Sequence, residues 1–140
     1  MPKLNTKESI VKFMKQEGFE VKNQKDNVLI LTDEDGFTIF SVITDMQIEF
    51  IVDICGEKDI KTDKVLEAYR TLLDMNTEIL PTCYGIDSSE SGNSRIVLVD
   101  SLAMGNLDEN ELQLSLSSLA RNTISAIETL NKYRKEPVSM

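Results

Sequence analysis

The stretch FTIFSVITDMQIEFIVDIC, Phe37–Cys55, decides the fold class of this 140-residue chain. Apolar and polar residues alternate along MQIEFIVDIC, which predicts a strand with one face against helices and one toward solvent. The inward set is Met46, Ile48, Phe50, Val52 and Ile54. FTIFSVIT predicts the preceding strand, joined near Asp45. So short a connection cannot hold a crossover, so the two strands are expected to be antiparallel.

Two more strand-like runs precede this pair, FEVKN and VLILT (Val28–Thr32). The segment DEDG, Asp33–Gly36, is a hairpin loop signal. Together the runs predict a four-stranded antiparallel meander. A calcium loop is the alternative for TDEDG, but counting from Asp33 the glycine falls at position four, whereas an EF-hand needs it at six.

A helix is predicted before the meander, at Thr6–Glu17. Its apolar stripe is Ile10, Val11, Phe13 and Met14. We expect Asn5 to cap this helix, with Glu8 three residues on as its capping-box partner. Gly18 stands where a glycine commonly ends a helix.

A second helix is predicted after the meander, opening at Thr62 or Asp63 and stopping near Asn76. Its recurring apolar residues are Val65, Leu66, Tyr69, Leu72 and Leu73. Pro81 prevents continuation of the helix. The runs TCYGID and RIVLVDSL then predict two more strands around a turn-rich segment.

The longest predicted helix begins at Asp108, with Glu111 as its capping-box partner, and runs to about Tyr133. Its core stripe is Leu112, Leu116, Leu119, Ala120, Ile124, Ile127 and Leu130. The order is therefore helix, four-strand meander, helix, two strands and long helix, which is an α+β class. We expect a single domain over residues 1–134 and a flexible tail over 135–140.

The composition excludes several classes of function. Acidic residues outnumber basic ones by 24 to 15, for a formal net charge of −9, which disfavours binding to nucleic acid. The chain has no histidine, so Ser-His-Asp and Cys-His arrangements cannot form within it. We therefore expect no enzyme activity, no cofactor and no metal. No signal-peptide core or membrane span is expected, which predicts a cytoplasmic protein.

Two residue groups leave alternatives open. Cys83 or Cys55 could be a reactive thiol, but buried structural packing is the favoured interpretation, because free cysteines are usually buried. Asp100 and Asp108 could hold Mg²⁺ or perform acid–base chemistry. The favoured interpretation of acidic residues at a helix start is stabilisation of the helix dipole.

Apolar residues on both faces of several strands suggest an interface. Three helices need not cover both faces of six strands, and an uncovered apolar patch would mark an interface for a second copy or another protein. The alternative is that the helices and the curvature of the sheet bury both faces. The candidate protein-binding residues are Phe37, Ile39, Ile43 and Ile51.

Most of the chain resembles YbjN-like proteins, which share a fold with type III secretion chaperones. The resemblance is carried by VLEAYRTLLDMNTEILPTCYGID and by RIVLVDSLAMGNLDENELQLSLSSLARNTISAIETL. It extends to the small YjfI-like bacterial proteins. The resemblance implies a cytoplasmic, non-enzymatic binding protein, often a homodimer, that engages segments of another protein. The expected function is thus a small acidic protein-binding module, chaperone-like or regulatory. The alternative is a redox-responsive regulator that uses Cys83 or Cys55.

Overall fold

Three α-helices and one six-stranded sheet form the part of the chain that the structure describes, residues 4–139 of a computed structural model. The strand order is β1-β2-β3-β4-β6-β5, which confirms the predicted α+β class and its order of elements. Two short 3-10 helices, Glu57–Asp59 and Thr62–Lys64, precede α2. The elements are α1 (Lys7–Gln16), β1 (Glu20–Lys25), β2 (Val28–Thr32), β3 (Thr38–Ile43), β4 (Gln47–Gly56), α2 (Val65–Met75), β5 (Cys83–Asp87), β6 (Arg95–Ala103) and α3 (Glu109–Asn131).

Short turns fix the pairing of the meander. In the β2–β3 hairpin, the Asp33 side chain accepts hydrogen bonds from the backbone N–H groups of Asp35 and Phe37, both at 2.9 Å. In the β3–β4 turn, the Thr44 N–H donates to the Gln47 carbonyl at 2.9 Å. This turn pairs Ile43 with Ile48, so the two side chains share one face of the sheet.

Met46 departs from the predicted inward stripe of β4. It is 81% exposed, because the strand begins only at Gln47 and Met46 lies within the turn. The Thr44 hydroxyl accepts a hydrogen bond from the Met46 N–H at 3.3 Å and holds it there. Ile48, Phe50 and Val52 are buried as predicted, whereas Ile54, the last member of the stripe, is only half-buried, because the alternation breaks before the buried Cys55.

The chain forms two compact units. The first reaches to Val52 and takes in Asp100–Ser117; the second comprises Asp53–Val99 and the chain from Ser118 onward. The single domain expected over residues 1–134 stays a prediction. The core of the first unit includes Ile10, Phe13, Met14, Leu29, Leu31, Ile39, Ile43, Ile48, Phe50, Leu107, Leu112 and Leu116. The core of the second includes Ile60, Ala68, Leu72, Tyr84, Ile96, Leu98, Leu119, Ala126, Leu130 and Tyr133.

Helix α1 begins at Lys7, one residue later than predicted. Thr6, not Asn5, is the cap, and Ser9, not Glu8, is its partner. The Ser9 N–H donates to the Thr6 hydroxyl at 3.1 Å, and the Thr6 N–H donates to the Ser9 hydroxyl at 3.3 Å. Both pairs of residues fit the capping spacing, so only the register of the first turn decides between them. At the other end Gly18 has a φ of +95°, as a glycine that ends a helix requires.

Helix α3 follows its predicted stripe except in the middle. Asp108 caps it as expected, by accepting a hydrogen bond from the Glu111 N–H at 2.8 Å. Ile124, however, is 52% exposed, and Asn122 is buried near it. The Asn122 amide donates to the Thr82 hydroxyl at 2.9 Å and to the Ile79 carbonyl at 3.2 Å. These hydrogen bonds compensate the burial of the Asn122 amide, so the buried face of α3 includes a polar residue here and is not purely apolar.

The joint between α2 and β5 is held by one asparagine. Asn76 ends α2, as predicted, but its side chain also reaches Tyr84 in β5. Its carbonyl accepts from the Tyr84 N–H at 2.7 Å, and its amide donates to the Tyr84 carbonyl at 3.4 Å. Because β5 is an outer strand, Asn76 occupies backbone groups that would otherwise face outward unpaired.

The C-terminal residues that follow α3 make backbone contacts. The Lys135 N–H donates to the Asp59 carbonyl at 2.9 Å. The Asn131 side chain binds both the N–H and the carbonyl of Val138, each at 2.9 Å. Flexibility of residues 135–140 stays a prediction.

We expect Asn76→Ala to destabilise the protein by about 1–3 kcal/mol, because it leaves the half-buried Tyr84 backbone groups without their partner. Asn76→Asp keeps the acceptor and loses the donor, so its loss should be smaller. Urea unfolding measures both. Asn110→Ala, at an exposed position of α3, is the matched control. Equal midpoints for Asn76→Ala and the control would show that the bond to Tyr84 contributes nothing.

Candidate protein-binding surfaces

Five apolar side chains lie on the face of the first unit's sheet that its core does not use. We call them the open sheet face: Val28, Ile30, Phe40, Val42 and Ile51. Cross-strand pairing brings them together, because Phe40 pairs with both Ile30 and Ile51, while Val42 pairs with Val28. Phe40 is 37% exposed and the other four are half-buried. This is a contiguous apolar surface on the central strands β2, β3 and β4.

Two of the four predicted binding residues lie on the opposite face. Ile39 and Ile43 are 0% and 6% exposed, so the expectation that they are surface contacts is wrong. Ile43 pairs with Ile48, which the alternation of β4 already places toward the core. The length of the β3–β4 turn could therefore have identified the correct face of β3.

The other two predicted residues are partly accessible. Ile51 is half-buried within the open sheet face. Phe37 is half-buried in the β2–β3 hairpin, where its N–H is held by the Asp33 side chain. A role for either residue in binding stays a prediction. Phe40, the most exposed member of the face, was not among the predicted residues.

Charged side chains border the open sheet face with a different sign on each side. Lys22 of β1 pairs with Ile30, and Lys25 of β1 pairs with Val28, so both lysines flank the β2 side. Glu49 of β4 pairs with Val42 on the other side. A segment bound to this face would meet positive charge along one flank and negative charge along the other.

The outer strand β1 is a poor site for adding another strand. Its pairing with β2 is irregular between Asn23 and Lys25, and all its residues except Val21 are exposed and polar or charged. Lysines and bulges on an outer strand are common protections against edge-to-edge pairing. Access to this part of the sheet is thus through its face.

The second unit carries a different apolar surface, the α2–β5 cleft. Its walls are Tyr69, Leu72, Leu73, Tyr84, Gly85 and Ile86, and it encloses about 160 Å³. Exposed apolar side chains surround it: Leu66 is 84% exposed, Leu73 67% and Ile86 50%. The sequence assigned Leu66 and Leu73 to the apolar stripe of α2. The rest of the unit covers only part of that stripe, so these two side chains are left exposed.

A hydrogen bond orients the aromatic wall of this cleft. The Tyr69 hydroxyl donates to the Glu57 carboxylate at 2.5 Å. Burial and this bond raise the pKa of Tyr69 well above its usual value. The hydrogen bond holds the phenol in place, and the ring forms a mostly apolar wall of the cleft.

Cys55 lies in a cavity of the second unit that has both charged and aliphatic walls. The cavity is lined by Ile54, Cys55, Asp59, Arg95, Ile127, Leu130, Arg134 and Val138. Arg95 forms an ion pair with Asp53, with its Nη2 at 3.0 Å from the carboxylate. Gly56 permits this, since a Cβ there would lie 2.8 Å from Arg95 Nη1. Asp53 pairs with Arg95, and Asp59 lines the cavity together with both arginines, so two carboxylates offset the charge of the two guanidinium groups.

The two cysteines differ in accessibility. Cys55 is 2% exposed, and burial raises the pKa of its thiol although the Arg134 guanidinium opposes the shift. Cys83 is exposed, which corrects the expectation that it is buried. It opens β5, an outer strand with a neighbour on one side only.

The acidic residues weighed as a metal site have structural partners. Asp100 accepts a hydrogen bond from the Ser115 hydroxyl at 2.5 Å, and Asp108 caps α3. Within residues 4–139 no three metal-ligating side chains gather to form a site. In the same range no helix has the length and apolar character needed to cross a membrane.

Solved structures with the same fold cover nearly the whole chain. YbjN from E. coli matches with a TM-score of 0.67 and 14% identity, over 89% of this chain and 90% of its own. An uncharacterized protein from Methanothermobacter thermautotrophicus matches with a TM-score of 0.68 and 13% identity, over 89% and 96%. A chain of the heterodimeric ExoU–SpcU complex from the type III secretion system of Pseudomonas aeruginosa matches with a TM-score of 0.65 and 17% identity, over 84% and 94%. At these identities the likeness shows the fold.

No curated protein matches the sequence significantly. A family match, in contrast, spans residues 3–136, almost the whole chain. It covers both resembling segments and the α2–β5 joint that Asn76 holds. The chain therefore belongs to the CesT_Tir_1 family of type III secretion chaperones.

Proposed function

We propose that this protein is a non-enzymatic, chaperone-like module that binds a segment of another polypeptide on its open sheet face. The observation that carries the proposal is the uncovered apolar surface around Phe40, on three central strands of the sheet. Apolar surface gains free energy when it is removed from water, so such a face favours association. Within the cell we place the protein in the cytoplasm.

Family membership supports the same role. One structure of this fold is a complex between two different proteins, ExoU and SpcU. A net charge of −9 adds long-range attraction for basic polypeptides and repulsion of nucleic acid. We therefore take the partner to be a protein.

We further propose that the module is a homodimer, joined through the α2–β5 cleft. A two-fold axis between Tyr69 and Arg70 would place Leu66 of one copy against Leu73 of the other, twice over. A self-complementary pair of this kind is what a two-fold interface requires. The cleft beside Leu73 would then receive an apolar side chain that is otherwise 84% exposed.

Phe40→Asp tests polypeptide binding. The wild-type protein should suppress light scattering by the insulin B chain after reduction, and Phe40→Asp should lose most of this effect. A central contact typically contributes about 2 kcal/mol or more, which is roughly 30-fold in affinity. Leu114→Asp, at a position 58% exposed on α3, is the control and should keep the effect. Full protection by Phe40→Asp would refute the proposed surface.

Leu73→Asp tests the dimer. We expect sedimentation velocity to show a monomer at concentrations where the wild type is a dimer. Each copy contributes one introduced carboxylate to the two-fold interface, so two negative charges would be buried among apolar side chains. Leu66→Asp should act alike, since the two-fold axis pairs the same positions, and Leu114→Asp should remain dimeric. A monomeric wild type, or a dimeric Leu73→Asp variant, would refute this interface.

Exposure of Cys83 keeps thiol regulation as the second candidate function. We expect iodoacetamide to alkylate Cys83 in the folded protein and to reach Cys55 only on unfolding, because the thiolate is the nucleophile and Cys55 is buried with a raised pKa. Mass spectrometry of Cys83→Ser and Cys55→Ser gives the rates separately. If iodoacetamide alkylates Cys83 no faster than it alkylates a cysteine in the unfolded chain, Cys83 has no special reactivity. That result would rule out Cys83 as a redox sensor.

A further inference from the structure

We propose that the occupant of the open sheet face is an amphipathic α-helix with acidic residues along one flank and basic residues along the other. The helix lies along the strands, with its acidic flank beside Lys22 and Lys25 and its basic flank beside Glu49. This inference rests on the proposed function and specifies the partner segment that the face selects.

Backbone chemistry favours a helix over an extended segment. The open sheet face presents side chains, and the backbone groups of β2 and β3 are used in pairing with their neighbours. An extended segment lying on this face would bury N–H and C=O groups against apolar side chains without partners. A helix satisfies these groups internally and can present an apolar stripe instead.

Strand addition at the border of this surface is also disfavoured. The outer strand β1 is irregular between Asn23 and Lys25 and exposes most of its residues. A new strand would need a regular row of free backbone groups. The occupant must therefore be held by side-chain contacts.

The size of the face fits one helix. Neighbouring strands lie about 4.8 Å apart, so the side chains of β2 and β4 are separated by about 10 Å. A helix with its side chains is about 10–12 Å across. Along the strands, the row of Ile30, Phe40 and Ile51 is two residues from the row of Val28 and Val42. Two adjacent turns of one helix cover both rows.

The charges then select the flanks of that helix. Both lysines border the β2 side of the two apolar rows, and Glu49 borders the β4 side. Glu20 also belongs to β1, but it pairs with Thr32, one row beyond the apolar residues. A uniformly basic helix would meet the lysines, and a uniformly acidic helix would meet Glu49 and the net charge of −9. Only a helix with acidic residues on the flank beside the lysines and basic residues on the flank beside Glu49 meets opposite charge on both sides.

Two synthetic 18-residue peptides test the proposal. Both have the same composition and the same leucine stripe. The first has Glu along one flank and Lys along the other, and the second has the two mixed on both flanks. We expect the divided peptide to bind about tenfold more tightly in fluorescence anisotropy at low salt, with the difference shrinking as salt is added. Phe40→Asp should abolish the binding of both peptides.

Charge variants of the protein give the matched control. Lys22→Glu combined with Lys25→Glu should remove the preference for the divided peptide. Adding Glu49→Lys should restore the preference for the divided peptide, but with the peptide bound in the opposite direction. A nitroxide at the peptide N-terminus would then broaden NMR signals at the other end of the open sheet face. Leu114→Asp should change none of these results.

The outcomes separate this inference from the proposed function. Equal binding of the two peptides, still lost in Phe40→Asp, would overturn the divided-charge helix and leave polypeptide binding intact. No peptide binding alongside full protection of the insulin B chain would overturn the helical occupant. Dissociation of a wild-type dimer by Phe40→Asp would show that a second copy covers the face, and would overturn both.

Discussion

The pairing of Ile43 with Ile48 across the β3–β4 turn is the constraint from which the sheet surfaces follow. In a strand, a shift of one residue moves every side chain to the other face. The turn therefore determines which half of β3 enters the core. With this pairing Ile39 and Ile43 are buried, and Phe40 and Val42 lie on the open sheet face. One slipped residue would bury Phe40 and expose the core.

The two outer strands avoid unwanted pairing in different ways. Strand β1 is protected by its own charged side chains and its irregular register, so no residue from another element is needed. Strand β5 is short and less charged, and Asn76 occupies the backbone groups of Tyr84. A side-chain amide offers a carbonyl acceptor and N–H donors at a spacing that can imitate the backbone of a neighbouring strand. The same residue thus ends a helix and covers the backbone groups of one residue of the outer strand, which couples α2 to β5 within the second unit.

The sequence predicted the elements well, because long periodic segments carry their own signal. The class, the meander and the three helices of the described residues all follow from periodicity and from turn residues. It failed where a side chain's place depends on a partner distant in sequence. Alternation in β3 is the same whichever face is covered, so only cross-strand pairing could exclude Ile39. The apolar stripe of α2 likewise does not tell how much of it is covered, which is why Leu66 and Leu73 looked like core residues.

The sequence predicted an apolar surface on the sheet but placed two of its four residues, Ile39 and Ile43, on the buried face. Apolar residues on both faces of several strands, with only three helices to cover them, suggest an uncovered face, and that expectation needs no coordinates. Choosing the face needs the register, and choosing the partner needs the charges around it. Lys22 and Lys25 lie more than 20 residues before Glu49 in the sequence, and only the strand order places them on opposite borders of one surface. In the proposed complex, apolar area would supply affinity for many segments, whereas this arrangement of charge would discriminate among them, since like charges placed together cost free energy.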